Sequence, residues 1–203
     1  MVRLERGGAD FLVQVVGAFA EIGEMMVLSP ALYPGSTRVW ARAGFEEYLS
    51  LLVMERALVG AIEPVKGVIV TQEPSWEEIH RLDEMAFEGF WGMSRTGLEE
   101  AFATSRASAV LSVREQDRLA GYALLGTQWG VTYLHRIAVH PDLTGRGNGK
   151  RLLQASMGWG RGAGGRTMLL NVRHENVVAQ NLYRRLGFVD ADTDLHVLRH
   201  LLN

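Results

Sequence analysis

"IAVHPDLTGRGNGKRLL", residues 137–153, is the stretch on which the fold turns. It opens with Ile137, Ala138 and Val139, which read as the end of a strand. His140-Pro141 closes that strand, because proline has no N–H to give to a ladder. Leu152 and Leu153 begin an amphipathic helix that also carries Met157 and is stopped by Gly164-Gly165. Between strand and helix lie Thr144, Gly145, Arg146, Gly147, Asn148 and Gly149. Glycines let successive backbone N–H groups turn toward one concave spot. A helix N-terminus adds about half a positive charge and unpaired N–H groups. Lys150 and Arg151 follow at once. The stretch reads as an anion-binding loop.

Two familiar phosphate loops do not fit it. A Walker A loop needs G-x-x-x-x-G-K-[ST], but Thr144 stands in place of the first glycine and Arg151 in place of the Mg²⁺-binding hydroxyl. A dinucleotide fingerprint needs G-x-G-x-x-G directly after the strand, but "HPDLT" intervenes and Lys150 falls on the last glycine. On the loop alone, a plain glycine-rich connection stays open beside an anion cradle.

Working outward, "VKGVIVT" (65–71) reads as a short β-branched strand. "EPSWEEIHRLDEMAFEGFWG" (73–92) reads as a helix, with Ser75 and Glu78 at capping-box spacing and Ile79, Leu82, Met85 and Ala86 as its apolar stripe. "SRTGLEEAFATS" (94–105) is a second helix. "SAVLSVRE" and "RLAGYALLGTQ" are strands of a hairpin, and "VTYLHRIAV" (131–139) is a third. After the loop and its helix come the strand "RTMLLNV" (166–172), a helix ending at Gly187, and "FVDADTDLHVLRHLL" (188–202) as one or two strands. The expected class is α+β: a mixed, mostly antiparallel sheet flanked by helices.

Composition narrows the partners. The chain has 203 residues, 47% apolar and 22% charged, with net charge −2. No basic excess argues for nucleic acid. With no cysteine, disulfides and thiolate chemistry are excluded. The six histidines lack the close spacing of a metal site, so no metal is expected. "FLVQVVGAFA" (11–20) ends in A-x-A like a signal peptide, yet Glu5 and Asp10 stand where positive charge belongs, and a helix face explains the run equally well. It is too short to span a bilayer. No membrane partner and a cytoplasmic location are expected.

The loop, the following strand and "NVVAQNLYRRLGF" (176–188) together resemble the GCN5-related N-acetyltransferase (GNAT) family, over residues 65–203. Gly147 and Gly149 match the family's [QR]-x-x-G-x-[GA] loop. Thr144 departs from its Gln or Arg, losing a side chain but not the backbone cradle. Asn176, Ala179, Tyr183 and Gly187-Phe188 are a second match. Within the family, the chain is similar to the ribosomal-protein-alanine type. The resemblance implies a GNAT fold and acetyl-CoA as donor. It puts the pyrophosphate on Thr144, Gly145, Arg146, Gly147, Asn148, Gly149 and Lys150. The pantetheine arm would pair with the backbone at Ile137, Ala138 and Val139, and Asn176 would also touch CoA. Tyr183 matches the general acid that protonates the leaving thiolate, although the same tyrosine also reads as packing on the sheet.

The base is less direct. The ribosomal-protein-alanine enzymes carry Glu where Asn171 stands, and Asn cannot be a base. His135 is the candidate, beside a water held by Glu175 or His174; a lone strand histidine also reads as structural. For the acceptor, Phe87, Phe90 and Trp91 offer an aromatic wall. Asp190, Asp192 and Asp194 alternate and so would face one way. Phe90, Trp91 and Asp192 are the expected acceptor contacts. The same segments also read as a core helix end and a solvated hairpin.

The N-terminal part echoes this ending. At an offset of 143, Arg42, Gly44, Phe45, Leu52, Arg56 and Leu58 meet Arg185, Gly187, Phe188, Leu195, Arg199 and Leu201. Residues 1–60 thus read as a GNAT-like second half: helix, strand, helix, strand pair. The glycine loop would fall on residues 1–6, which hold no glycine, and Trp40 replaces Tyr183. The expectation is a non-catalytic scaffold (1–60) beside a complete domain (65–203). The half-sheet would pack on that domain or on a second subunit, as a homodimer. The expected function is acetyl transfer to a primary amine, with a CoA-binding sensor as the alternative.

Overall fold

The computed structural model describes residues 8–23, 25–60 and 62–202. They hold eight strands and six α-helices in two compact units that do not follow chain order. One comprises the segment up to Met54, Asn171–Tyr183 and the part from Val189 on; the other comprises Glu55–Leu170 and Arg184–Phe188.

The second unit carries the loop. Its strands are β3 (Ile69–Thr71), β4 (Ala107–Glu115), β5 (Arg118–Gln128), β6 (Val131–Val139) and the start of β7 (Thr167–Arg173). They run in the order β7-β6-β5-β4-β3, antiparallel except for the parallel pair β6·β7. Two-residue turns join β4 to β5 (Gln116, Asp117) and β5 to β6 (Trp129, Gly130). All four turn residues have positive φ, as the twist of such hairpins demands. Helices α3 (Trp76–Ala86) and α4 (Arg95–Ala103) bury Ile79, Leu82 and Leu98 against Val110, Tyr122, Leu124 and Ala138. Strand alternation turns Gly121 the other way, where Leu152 of α5 (Asn148–Gly162) packs on it.

The first unit is built by α1 (Ala9–Glu21), β1 (Met26–Leu28), α2 (Thr37–Arg42), β2 (Glu46–Ala57) up to Met54, α6 (Val177–Arg185) up to Tyr183, and β8 (Val189–Leu201). Leu12 and Val16 of α1 join Val27, Trp40, Phe45 and Leu198 in one core. The A-x-A run thus lies in an amphipathic helix whose buried face carries Leu12 and Val16. Trp40 is 1% exposed and meets Phe45 edge to face at 4.9 Å. β1 pairs antiparallel with β8, Met26 opposite Leu201. An offset of 143 carries β1 into β7, α2 into α6 and β2 into β8. The comparison of the glycine loop with residues 1–6 lies outside the described residues. No described helix is long and apolar enough to cross a membrane.

Three local expectations are corrected. Ser75 takes the N-cap position of α3, but its side chain makes no cap bond. Glu78 instead accepts two bonds from Arg114, at 2.6 and 3.0 Å, and a bidentate guanidinium outcompetes a single backbone N–H. Residues 65–68 do not join β3: Gly67 turns there with φ +70. The last stretch is one strand rather than a hairpin, as is its echo β2, since neither contains a glycine or proline to turn it.

Candidate active site

β6 positions the chemistry of the second unit. It pairs with β5 up to Val139, but with β7 only at Val131–Tyr133. Beyond Tyr133 it leaves β7, so Ile137, Ala138 and Val139 lie on a length of strand paired with β5 alone. The register with β5 slips: Leu125 faces Leu134, and Leu124 faces Arg136. His135 is therefore the extra residue of a β-bulge, a device that re-aims side chains. Tyr133 and His135 stack with centroids 6.0 Å apart.

The bulge sends His135 and Arg136 to different partners. His135 Nε2 lies where a Cβ on Gly126 would sit, together with Ser105 Oγ. Both polar atoms are buried without a hydrogen-bond partner. Burial holds the imidazole below its ordinary pKa, so it is neutral at pH 7. Arg136 reaches α3: Nε and Nη2 each donate to the Asp83 carboxylate at 2.7 Å. Asp83 is fully buried and also accepts from Tyr122 Oη (2.5 Å) and Met93 N (2.9 Å). Burial, and next the Asp83 charge, hold the Tyr122 phenol well above its ordinary pKa. The same guanidinium lies 3.6 Å over Phe87 and donates to the Trp91 carbonyl. Phe90 and Trp91, in a 3-10 turn at Gly89–Trp91, have ring centroids 4.4 Å apart. So His135, Arg136 and the aromatic segment gather at the bulge, and the charge there is an ion pair. Asp192 belongs to the first unit, exposed on β8.

After β6 the chain makes a 3-10 turn, Pro141–Leu143, in which Thr144 Oγ1 donates to Pro141 O. The loop is shorter than expected. α5 starts at Asn148, so Asn148, Gly149 and Lys150 form its first turn. Gly145 (φ +73) and Gly147 (φ +84) hold the left-handed conformation. A Cβ at either would meet nothing within 4 Å, so the space above them is open. The first backbone bond onto the loop is Arg151 N to Gly147 O, 3.0 Å. The N–H groups of residues 148–150 precede it, as first-turn donors without partners inside a helix. The Asn148 side chain is buried and points elsewhere: Nδ2 donates to Glu115 (2.8 Å), and Oδ1 accepts from Arg151 (3.2 Å). Glu115 also accepts from Arg146 (3.2 Å), while Arg151 holds the carbonyls of Lys66 and Gly67. Lys150 is exposed.

α6 starts on Asn176, whose Oδ1 caps it by accepting from Ala179 N (3.1 Å). That oxygen is committed to the helix. Tyr183, seven residues on, is 5% exposed, and burial pushes its phenol up to about 12. His174 Nε2 lies 3.0 Å from Asp194 Oδ2, and Asn171 is exposed.

A profile of the acetyltransferase (GNAT) family matches residues 76–188, more than half the chain. This chain is a GNAT protein. The matched span runs from α3 through the loop to Phe188, so it takes in the bulge, Gly147 and Tyr183. The GNAT chain is 28% identical over 191 residues to a mycothiol acetyltransferase of Geodermatophilus obscurus, covering 80% of itself and 59% of that protein. It is 35% identical over 78 residues to the ribosomal protein bS18 alanine N-acetyltransferase of Haemophilus ducreyi, covering 38% of itself and 54% of the relative. It thus spans between half and two thirds of these relatives' length. Among solved structures it superposes on a tandem GNAT protein from the clavulanic acid biosynthesis pathway (TM-score 0.64, 14% identity), covering 99% of itself and 72% of that chain.

Nothing local in the sequence marks Asp83, Arg136, Ser105 or Glu115. Asp83 sits among charged neighbours in "RLDEM", where only its partner 53 residues away distinguishes it. The bulge at His135 has no glycine or proline to announce it.

Proposed function

We propose that this GNAT protein transfers acetyl from acetyl-CoA to a primary amine of a small molecule, peptide or protein, by direct attack in a ternary complex. The observation that carries the reading is the left-handed Gly147 opening α5 in the loop that follows β6, the strand whose far half has left β7. Such a loop suits a diphosphate: open space above the glycines and three helix-start donors. Ile137, Ala138 and Val139 would offer their backbone to the pantetheine arm as an added strand. Thr144 would act through its backbone, and the Asn176 amide through its NH₂.

His135, neutral through burial, would take the proton of the attacking amine as the N–C bond forms. The C–S bond then breaks, and Tyr183, protonated at every working pH, would return a proton to the thiolate. Backbone N–H groups of β6 would stabilise the oxyanion. Phe90 and Trp91 would wall the acceptor, with Asp192 as a further contact. Residues 1–60 would act as a scaffold, a reading supported by the buried Trp40 and the repeated element order; fully active residues 61–203 alone would remove it.

The test is release of free CoA thiol across an amine panel that includes mycothiol-type amines and an alanine-ended ribosomal peptide. Thiol release with at least one amine is expected. Tight CoA binding without turnover on any would favour the sensor reading, which the absent carboxylate at Asn171 keeps in play. No CoA binding would refute both.

A further inference from the structure

Arg56, near the end of β2, reaches across to the second half of the family motif. Its Nη1 donates to the carbonyl of Leu186, just past the last residue of α6. The same nitrogen lies 3.0 Å from Met157 Sδ on α5. The guanidinium covers Gly187, where an added Cβ would meet Arg56 Cζ at 3.6 Å. Gly187 ends α6 in the left-handed conformation (φ +81), and its N–H bonds Arg184 O at 2.9 Å. A cation at the last carbonyls of a helix is also favoured by the helix dipole. One side chain thus ties the end of the helix that carries Tyr183 to the helix that opens at the glycine loop.

We infer that Arg56 is a positioning residue for acetyl transfer: by holding the Leu186 carbonyl it fixes the end of α6, three residues past Tyr183, and hence the place of the Tyr183 hydroxyl. The inference rests on the acid role proposed above. A tether of this kind has a distinct signature. Tyr183 acts when the thiolate leaves, whereas acetyl-CoA is held mainly by the loop. Losing the tether therefore lowers kcat and leaves KM for acetyl-CoA nearly unchanged.

The test uses the full chain with 3-fluorotyrosine at its five tyrosines, the Tyr183 ¹⁹F resonance being assigned by its absence in Tyr183→Phe. Arg56→Met is expected to shift that resonance and to lower thiol release about ten- to a hundredfold at the same KM for acetyl-CoA, as a small misplacement of a catalytic group does. Arg56→Lys, which keeps a donor and the charge, is expected to restore most of both. An unshifted Tyr183 resonance in Arg56→Met overturns the inference, as does a loss that Lys does not rescue. Should Arg56→Met not fold, Arg56→Gln takes its place with the same expectations. If the wild type releases no thiol with any amine, the functional proposal has failed; the resonance still reports whether Arg56 seats Tyr183.

Discussion

Arg136 Nε and Nη2 each donate to the carboxylate of Asp83 at 2.7 Å, and Asp83 is fully buried. The pair joins the bulge of β6 to α3 and, through the Trp91 carbonyl, to the aromatic segment. A buried pair is weak evidence of net stability, but breaking it strands a charge in the core. Asp83→Leu or Arg136→Met is expected to cost about 3–5 kcal/mol in urea denaturation. The double change Asp83→Leu with Arg136→Met should lie closer to wild type than either single change. Equal, additive losses would show that the pair is not coupled.

The loop depends on Gly147, whose φ of +84 strains any side chain, although nothing lies within 4 Å of an added Cβ. Gly147→Ala is expected to cost about 1–2 kcal/mol of stability and to weaken acetyl-CoA binding measured by calorimetry. Unchanged binding would argue that the loop's backbone N–H groups do not hold the ligand.

Glu115 shares its carboxylate between Asn148 and Arg146. Glu115→Gln keeps an acceptor for Asn148 while removing a negative charge near the cradle. Acetyl-CoA is expected to bind up to about fivefold more tightly at low salt, with the gain fading as salt screens it. Weaker binding at low salt would show that Glu115 serves the loop's shape rather than opposing the ligand.

Burial depresses the His135 pKa, so stability is fully present above the ordinary value of 6.5 and is lost as pH falls through the lower folded value. If His135 is the base, turnover has an acid limb centred below pH 6.5. His135→Gln is expected to abolish that limb and lower the rate about 10²- to 10⁴-fold. A pH–rate profile unmoved by the substitution would pass the role to a water near His174.

Tyr183 moves the opposite way. With its phenol raised to about 12, its contribution to stability is complete below pH 10 and is lost as pH rises from 10 toward 12. Tyr183→Phe is expected to lower thiol release about 10²- to 10⁴-fold while leaving acetyl-CoA binding within twofold. A full rate in Tyr183→Phe would remove the acid from the mechanism.

Local rules account for the parts of the fold that lie within a few residues of chain. Strand, glycine loop and helix at 137–153 follow from apolar periodicity and from glycine's freedom at positive φ. The end of α6 follows from Gly187, and the echo at Gly44 from the same turn chemistry. These signals lie within a few residues, so they could be read without a fold. Which side chains meet depends instead on long-range packing. It took Asn148 into the core, committed the Asn176 carbonyl to a cap, sent Glu78 to Arg114 instead of a capping box, and gave His135 a bulge. It also joined Asp83 to Arg136 and Arg56 to the end of α6, across 53 and 130 residues of chain. Such pairings leave no local trace, because a charged residue on a helix or strand looks the same whether it faces water or a partner far away in the chain.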